Sequence, residues 1–192
     1  PIDVESEMVD KDLSRKGFGH RIQEFSFTDQ SGKSYGSKDL GDKIYVAEYF
    51  FTTCGTICPV MNAEMQRVQA AFKGNDRFKI LSFTVDPETD SVAQMKNYAD
   101  AHGADPKQWH FLTGEKKVIY PLVLQGFHVP LADASEYDAA IKNPDETFIH
   151  SERLVLVDKE GIIRGFYDGT DKKEVDRLLV EIKVLKSIYS NE

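Results

Sequence analysis

Cysteine is scarce in this chain. There are two in 192 residues, too few for a disulfide-dense scaffold. Basic charge is in deficit as well: 24 lysines and arginines face 32 aspartates and glutamates, a net charge of −8. A main role in binding bare nucleic acid or an anionic membrane needs a basic surface, so this balance argues against both. No apolar run reaches the ~18 residues of a bilayer span. Internal repeats, low-complexity tracts and Gly/Ser/Pro linkers are missing. So is an initiator methionine: the chain begins at Pro1, and the expectation is that a signal peptide or anchor upstream has been removed. What remains is an ordinary globular composition, 41% hydrophobic and 29% charged. A chain of this length buries roughly 70% of its unfolded surface. Residues 1–20 are expected to form an extended lead-in and 21–192 a single domain.

Hydrophobic patterning supplies the elements. Residues 24–36 alternate aromatics around Asp29-Gln30-Ser31-Gly32, which reads as a short hairpin. Residues 44–51, IYVAEYFF, form a near-continuous run suited to a strand covered on both faces. Met61, Met65, Val68 and Phe72 then repeat at helical spacing, with Pro59 near the helix start. That spacing makes the two methionines core residues rather than metal ligands. Residues 78–85 read as a second buried strand. Asp90 or Ser91 caps a helix carrying Met95, Tyr98 and Ala99 and ending at Gly103. A short strand at 109–112 and a helix near 115–124 follow. Residues 126–149 are irregular and acidic, a long surface loop. A second hairpin pairs 154–158 with 161–168, and helix 171–188 places Val175, Leu178, Leu179, Ile182 and Leu185 on one face. This order predicts an α/β, thioredoxin-like fold: a mixed central sheet flanked by helices, with an N-terminal β-hairpin extension.

Both cysteines fall where the first central strand gives way to the first long helix, in Thr53-Cys54-Gly55-Thr56-Ile57-Cys58-Pro59. A helix N-terminus carries partial positive charge, so a thiol there is expected to have a lowered pKa and to be a nucleophile or metal ligand at neutral pH. At i and i+4 in a helix, two Cβ atoms lie about 5–6 Å apart, wider than the ~3.5–4.5 Å of a relaxed disulfide. The spacing leans towards metal chelation. A loop position for Cys54 leaves disulfide formation open. A peroxiredoxin-type peroxidase needs Pro and Thr upstream of its cysteine, where this chain has Ala47 and Phe51, so that reading fails.

Two sulfurs leave a metal under-coordinated, and His20, His102, His110, His128 and His150 are the candidate further ligands. Most histidines are surface or core residues. His150 is singled out because it directly precedes the 152–158 strand, whose entry passes beside the first helix's N-terminus in a thioredoxin-like sheet. His128, in the same long loop, is the reserve. Two thiolates with one imidazole form a soft set that selects Cu(I), while Cu(II) needs water or another group to complete its site. Zn(II) prefers a fourth ligand that is not evident.

With these residues in place, the sequence resembles the Sco (SenC) family of copper-binding thioredoxin-fold proteins over about residues 22–186. The matching stretches are Phe27-Thr28-Asp29-Gln30-Ser31-Gly32-Lys33, Tyr49-Phe50-Phe51-Thr52-Thr53-Cys54 with Cys58-Pro59, and Thr84-Val85-Asp86-Pro87-Glu88-Thr89-Asp90. Trp109 to Gly114 follow, then His150-Ser151 leading into Leu154-Val155-Leu156-Val157-Asp158. The family's copper ligands carry over to Cys54, Cys58 and His150. Gly55 stands where the family motif usually has proline, which frees the loop backbone. Asp86 and Asp90 match the family's Asp-Pro-x-x-Asp stretch, read here as a turn and a helix cap or, alternatively, as an acidic rim beside the copper site.

The resemblance implies a metallochaperone that assists assembly of the binuclear copper site of cytochrome c oxidase. Its cargo is a copper ion, Cu(I) or Cu(II). Its partner is the copper-bearing oxidase subunit or another copper or thiol protein. It faces the periplasm or the intermembrane space and meets the membrane only through an N-terminal anchor. The alternative is a thiol–disulfide oxidoreductase in which Cys54 attacks a partner disulfide and Cys58 resolves it. A sensor that changes shape on copper binding or oxidation is a third possibility. Acidic residues of the last third form a solvated surface that also suits a basic partner.

Overall fold

A computed structural model describes residues 19–55, 57–128 and 151–190. The expected long loop lies almost wholly outside these residues, and so does His150.

The hairpin forms from β1 (Ser26–Asp29) and β2 (Ser34–Gly36). The Asp29 side chain builds the turn, accepting from the Ser31 backbone at 2.9 Å, the Ser31 hydroxyl at 2.6 Å and the Lys33 backbone at 3.0 Å. Gly32 takes the left-handed conformation the turn requires, at φ +79°. Next, β3 (Ile44–Phe50) is buried at every position, as its near-continuous apolar run predicts. Helix α1 (Ile57–Ala71) crosses to β4 (Phe78–Thr84), and α2 (Val92–Ala101) crosses to β5 (Trp109–Thr113). These three strands are parallel. Then β6 (Arg153–Val157) and β7 (Ile163–Asp168) pair antiparallel, β6 also lies antiparallel on β3, and α4 (Lys172–Ser190) closes the fold.

The seven strands form one mixed sheet in the order β2-β1-β5-β4-β3-β6-β7, with β3 well inside it. Alternation along β3 sends Tyr49 and Phe50 to opposite faces. Tyr49 joins Phe83, Phe127, Phe25 and Phe27 in one aromatic cluster. Phe50 packs with Tyr98, Phe111 and Trp109 in another, under α2. The helical methionines Met61 and Met65 are both core residues, as their spacing predicts. Gly19 and His20 exchange backbone hydrogen bonds with Ile163, and Arg21 forms a bridge with Ile162.

Two local expectations change. The helix expected near 115–124 is α3 (Lys116–Pro121), followed by a wider turn over Leu122–Gly126 that closes with Phe127 N–H on the Leu122 carbonyl at 2.9 Å. Pro121 offers no N–H and crowds the preceding turn, so the regular ladder breaks there. Of the two candidate caps for α2, Ser91 does the capping, accepting from the Gln94 backbone at 3.2 Å. Asp90 turns inward instead.

His110, on β5, carries a pH dependence. Its ring stacks on Tyr35 with centroids 3.7 Å apart. Its Nδ1 is buried without a hydrogen-bond partner, 3.8 Å from the Asp29 carboxylate, too long for a hydrogen bond. Burial drives the imidazole from the ordinary 6.5 down to about 4, overcoming the opposing pull of Asp29. Between those pH values the unfolded chain binds a proton that the folded chain does not. Stability therefore falls as pH drops through this window, by about 3 kcal/mol when complete. His110→Phe keeps a ring on Tyr35 and removes the titration. The gap in urea-unfolding stability between pH 7 and pH 4 is expected to shrink by about 2–3 kcal/mol in this variant. An unchanged gap rules His110 out as its source.

Candidate functional site

The site lies at the carboxyl end of β3, where ligand-handling groups of parallel α/β sheets collect. Past Phe50 the chain turns through Phe51–Cys54, closed by the Cys54 N–H on the Phe51 carbonyl at 3.1 Å. Helix α1 begins at Ile57. Pro59 fits its first turn, where backbone N–H groups have no partner within the helix. Cys54 thus sits in the loop and Cys58 in the first helical turn, as their place at the strand-to-helix junction predicts.

Neither cysteine is in a disulfide. Their side chains interact directly: the hydrogen bond with Cys54, then burial and the charge of Cys54, push the Cys58 thiol well above its ordinary pKa, while the Phe51 backbone opposes the rise. The expectation of a helix-lowered thiol is corrected here for Cys58. A second sulfur at hydrogen-bonding range and a water-poor site both favour the protonated thiol. A soft cation meeting this pair must displace protons, so binding releases them.

Both sulfurs lie shallow. Cys54 is 7% and Cys58 4% exposed, but Thr53 and Gly55 on either side of Cys54 are exposed, and so is Val60 on α1.

Beneath the cysteines is a buried polar cluster. Glu48, 1% exposed, lies on the same face of β3 as Phe50 and accepts from the Ser82 hydroxyl on β4. Ser82 in turn accepts from the Trp109 indole at 2.7 Å. Burial pushes the Glu48 carboxyl up to about 7, against the Ser82 hydrogen bond. Glu48 is among the groups that raise the Cys58 thiol. Tyr98 on α2 is raised by burial and by Cys58, with smaller effects of Glu48 and Cys54, and its hydroxyl accepts from Asn62 on α1 at 2.6 Å. Sequence reasoning missed Glu48. The signal was one carboxylate inside the apolar run 44–51.

The described histidines are dispersed. His102 ends α2, with its Nε2 3.3 Å from the Asn62 amide and its ring beside Tyr98. His110 is on the hairpin side of the sheet. His20 and His128 pack edge to face, centroids 4.7 Å apart. Burial and the neighbouring His20 hold His128 below its ordinary pKa. Among the described residues no group of three His, Cys, Asp or Glu side chains could hold a metal ion. The predicted third ligand, His150, lies outside them. Asp86 sits at the turn, its carbonyl accepting from the Thr89 and Asp90 N–H groups. Asp90 is buried and forms no acidic rim. No helix among the described residues is long and apolar enough to cross a membrane.

A family model described as SCO1/SenC matches residues 15–185. A SCO1/SenC family lipoprotein from Bacillus anthracis str. Ames is 28% identical with a TM-score of 0.77, over 90% of this chain and 98% of that one. BsSco, a Sco family member among the cytochrome c oxidase assembly proteins in which a disulfide switch was identified, is 28% identical with a TM-score of 0.72, over 90% and 96%. ScoI of Bradyrhizobium japonicum, solved with copper bound, is 25% identical with a TM-score of 0.71, over 86% and 99%. The mixed α/β architecture described above is shared with these thioredoxin-like structures.

Proposed function

Because the chain belongs to the SCO1/SenC family, we propose that it is a copper-binding metallochaperone that carries one copper ion on Cys54, Cys58 and His150 and passes it on by ligand exchange. The observation that carries this reading is the meeting of two unbridged sulfurs just under the surface at the strand-to-helix junction. Two thiolates suit Cu(I) in particular. His150 enters from the family's ligand set. A copper-bound relative of similar structure supports the metal.

The acceptor is the copper-bearing subunit of cytochrome c oxidase or another copper or thiol protein, in keeping with the assembly role stated for BsSco. The chain works outside the cytoplasm, on the periplasmic or intermembrane-space side, tethered to a membrane, as the lipoprotein relative suggests. Transfer runs one ligand at a time. An incoming sulfur or imidazole takes a coordination position as one of the chain's ligands leaves, and each departing thiolate regains a proton.

The contact between the two sulfurs also favours a second reading, thiol–disulfide exchange with a partner. The two roles are compatible, since a protein that reduces its target's cysteines is placed to load them.

The test is to add Cu(I) and Cu(II) separately to reduced protein, wild type and His150→Ala, and to measure stoichiometry, affinity and absorption spectrum. One copper per chain is expected. His150→Ala is expected to lower affinity at least about tenfold, since even groups one step removed from a metal cost 10–100-fold, with unfolding unchanged. Wild-type retention by the variant removes His150 from the ligand set. Exchange activity without copper binding selects the second reading.

A further inference from the structure

The sequence offers Asp90 as a turn or cap residue, yet the structure buries it at 1% exposure between three elements. One carboxylate oxygen accepts from the Thr52 N–H at 3.1 Å and the Thr52 hydroxyl at 2.5 Å. The other accepts from the Thr84 hydroxyl at 2.5 Å and lies 3.2 Å from the same Thr52 N–H. The threonines are braced in turn. Gln94 on α2 donates its side-chain amide to the Thr52 hydroxyl at 3.0 Å, and the Asp86 N–H donates to the Thr84 hydroxyl at 2.9 Å.

Thr84 ends β4 and Asp90 leads into α2, both inside the framework. Thr52 belongs to the turn that delivers Cys54. That turn is closed on one side by the Cys54 N–H on the Phe51 carbonyl at 3.1 Å, and β3 is tied to the residue after β4 by the Val85 N–H on the Phe50 carbonyl at 2.9 Å. A helix cap works equally well at the surface, and burying a carboxylate costs free energy unless hydrogen bonds offset it. The placement makes sense as a clamp on the turn.

We propose that Asp90 is a positioning residue for the cysteine pair: through Thr52 it holds the Phe51–Cys54 turn so that the Cys54 sulfur stays against Cys58. This deepens the proposed function and rests on the cysteine pair being its working site. Asp90 is buried and bonds to Thr52 and Thr84; its effect passes through the turn. Asp90→Ala removes all the carboxylate's bonds to Thr52 and Thr84. Asp90→Asn keeps the shape and one acceptor oxygen for the Thr52 N–H, and its amide meets the Thr84 hydroxyl, which can rotate to accept. Thr52→Val removes the Thr52 hydroxyl bonds and keeps the backbone one.

The experiment uses the full chain and two readouts. In the first, the protein is equilibrated with glutathione. Cys54 and Cys58 lose two electrons and two protons in forming their disulfide, and oxidised glutathione takes both to leave as two reduced molecules. A looser turn lowers the effective concentration of one thiol at the other. Asp90→Ala is expected to shift this equilibrium towards the dithiol at least about tenfold, Thr52→Val by about three- to tenfold, and Asp90→Asn by no more than about threefold. In the second, Cu(I) is competed against a chelator. Asp90→Ala is expected to weaken binding by about 10–100-fold, the range for groups that orient metal ligands, with near-recovery in Asp90→Asn. Cooperative unfolding monitored alongside identifies variants that fold. A folded Asp90→Ala within about threefold of wild type in the glutathione equilibrium overturns the proposal. Should that variant not fold, the same result for Thr52→Val overturns it. If wild type binds no copper, the metallochaperone reading fails and the glutathione equilibrium still decides the role of Asp90.

Discussion

Serine in place of Cys58 is expected to weaken Cu(I) binding by at least about a hundredfold, because even outer-shell partners of a metal cost 10–100-fold when removed. The exchange swaps a soft, polarisable sulfur for a hard hydroxyl that stays protonated, so it deletes a ligand with little change of volume. Stability is expected to change by only about 1–2 kcal/mol, since the new hydroxyl inherits the Cys54 sulfur as a hydrogen-bond neighbour. Cys54→Ser should match it in affinity. A chelator competition for each variant, with urea unfolding alongside, separates ligand loss from unfolding. The proton balance gives a second check. Cys58 is held protonated by its hydrogen bond with Cys54 and by burial, so copper uptake by wild type releases protons and tightens as pH rises through the neutral range. Cys58→Ser should flatten that dependence. Affinity within about tenfold of wild type in both serine variants removes the pair from the copper site.

Replacing Glu48 by glutamine is expected to stabilise the reduced, metal-free protein at alkaline pH. Burial raises this carboxyl from the usual 4.5 to about 7. Below 4.5 both folded and unfolded chains hold the proton, and the site costs nothing. Between 4.5 and 7 the unfolded chain has released its proton while the folded chain keeps it, so stability declines as pH rises. Above 7 the folded protein carries a buried charge, at a penalty of about 3 kcal/mol. Glutamine accepts the same Ser82 hydrogen bond without that charge. Its gain should be near zero at pH 4.5 and about 1–3 kcal/mol at pH 8.5, reduced where its amide lacks a partner. A stability difference that does not vary with pH rejects Glu48 as the titrating group. Removing the charge also removes one of the influences that raise Cys58, so alkylation of that thiol should speed up in Glu48→Gln.

The two experiments act on one small region, yet their residues were not equally visible in sequence. The cysteines announce themselves by rarity and by standing between IYVAEYFF and the helical Met61, Met65, Val68 and Phe72 pattern. The hairpin was legible for a similar reason, since Asp29 and Gly32 perform local turn chemistry within a few residues of chain. Local periodicity failed only where a single residue interrupts it, as Pro121 does in shortening α3. Glu48 is different. Its neighbours in sequence are apolar, and the groups that define its role, Ser82, Trp109 and Cys58, come from three other elements. Asp90 is a sharper case. As a sequence feature it competes with Ser91 for one cap, and only the packing of β3, β4 and α2 reveals that Ser91 caps while Asp90 turns inward to Thr52 and Thr84.

The linear pattern by itself determined the strands and helices, their order, the core faces and the junction that carries two sulfurs. Each of these depends on residues within one or two turns of one another, where hydrophobic period and backbone chemistry act directly. Tertiary structure alone decided how the junction behaves: that the Cys58 thiol is raised rather than lowered, that a carboxyl near neutrality lies beneath it, and that an aspartate from beyond the next strand grips its turn. Protonation and orientation depend on burial and on charges brought close in space, and those distances exist only once the sheet has formed.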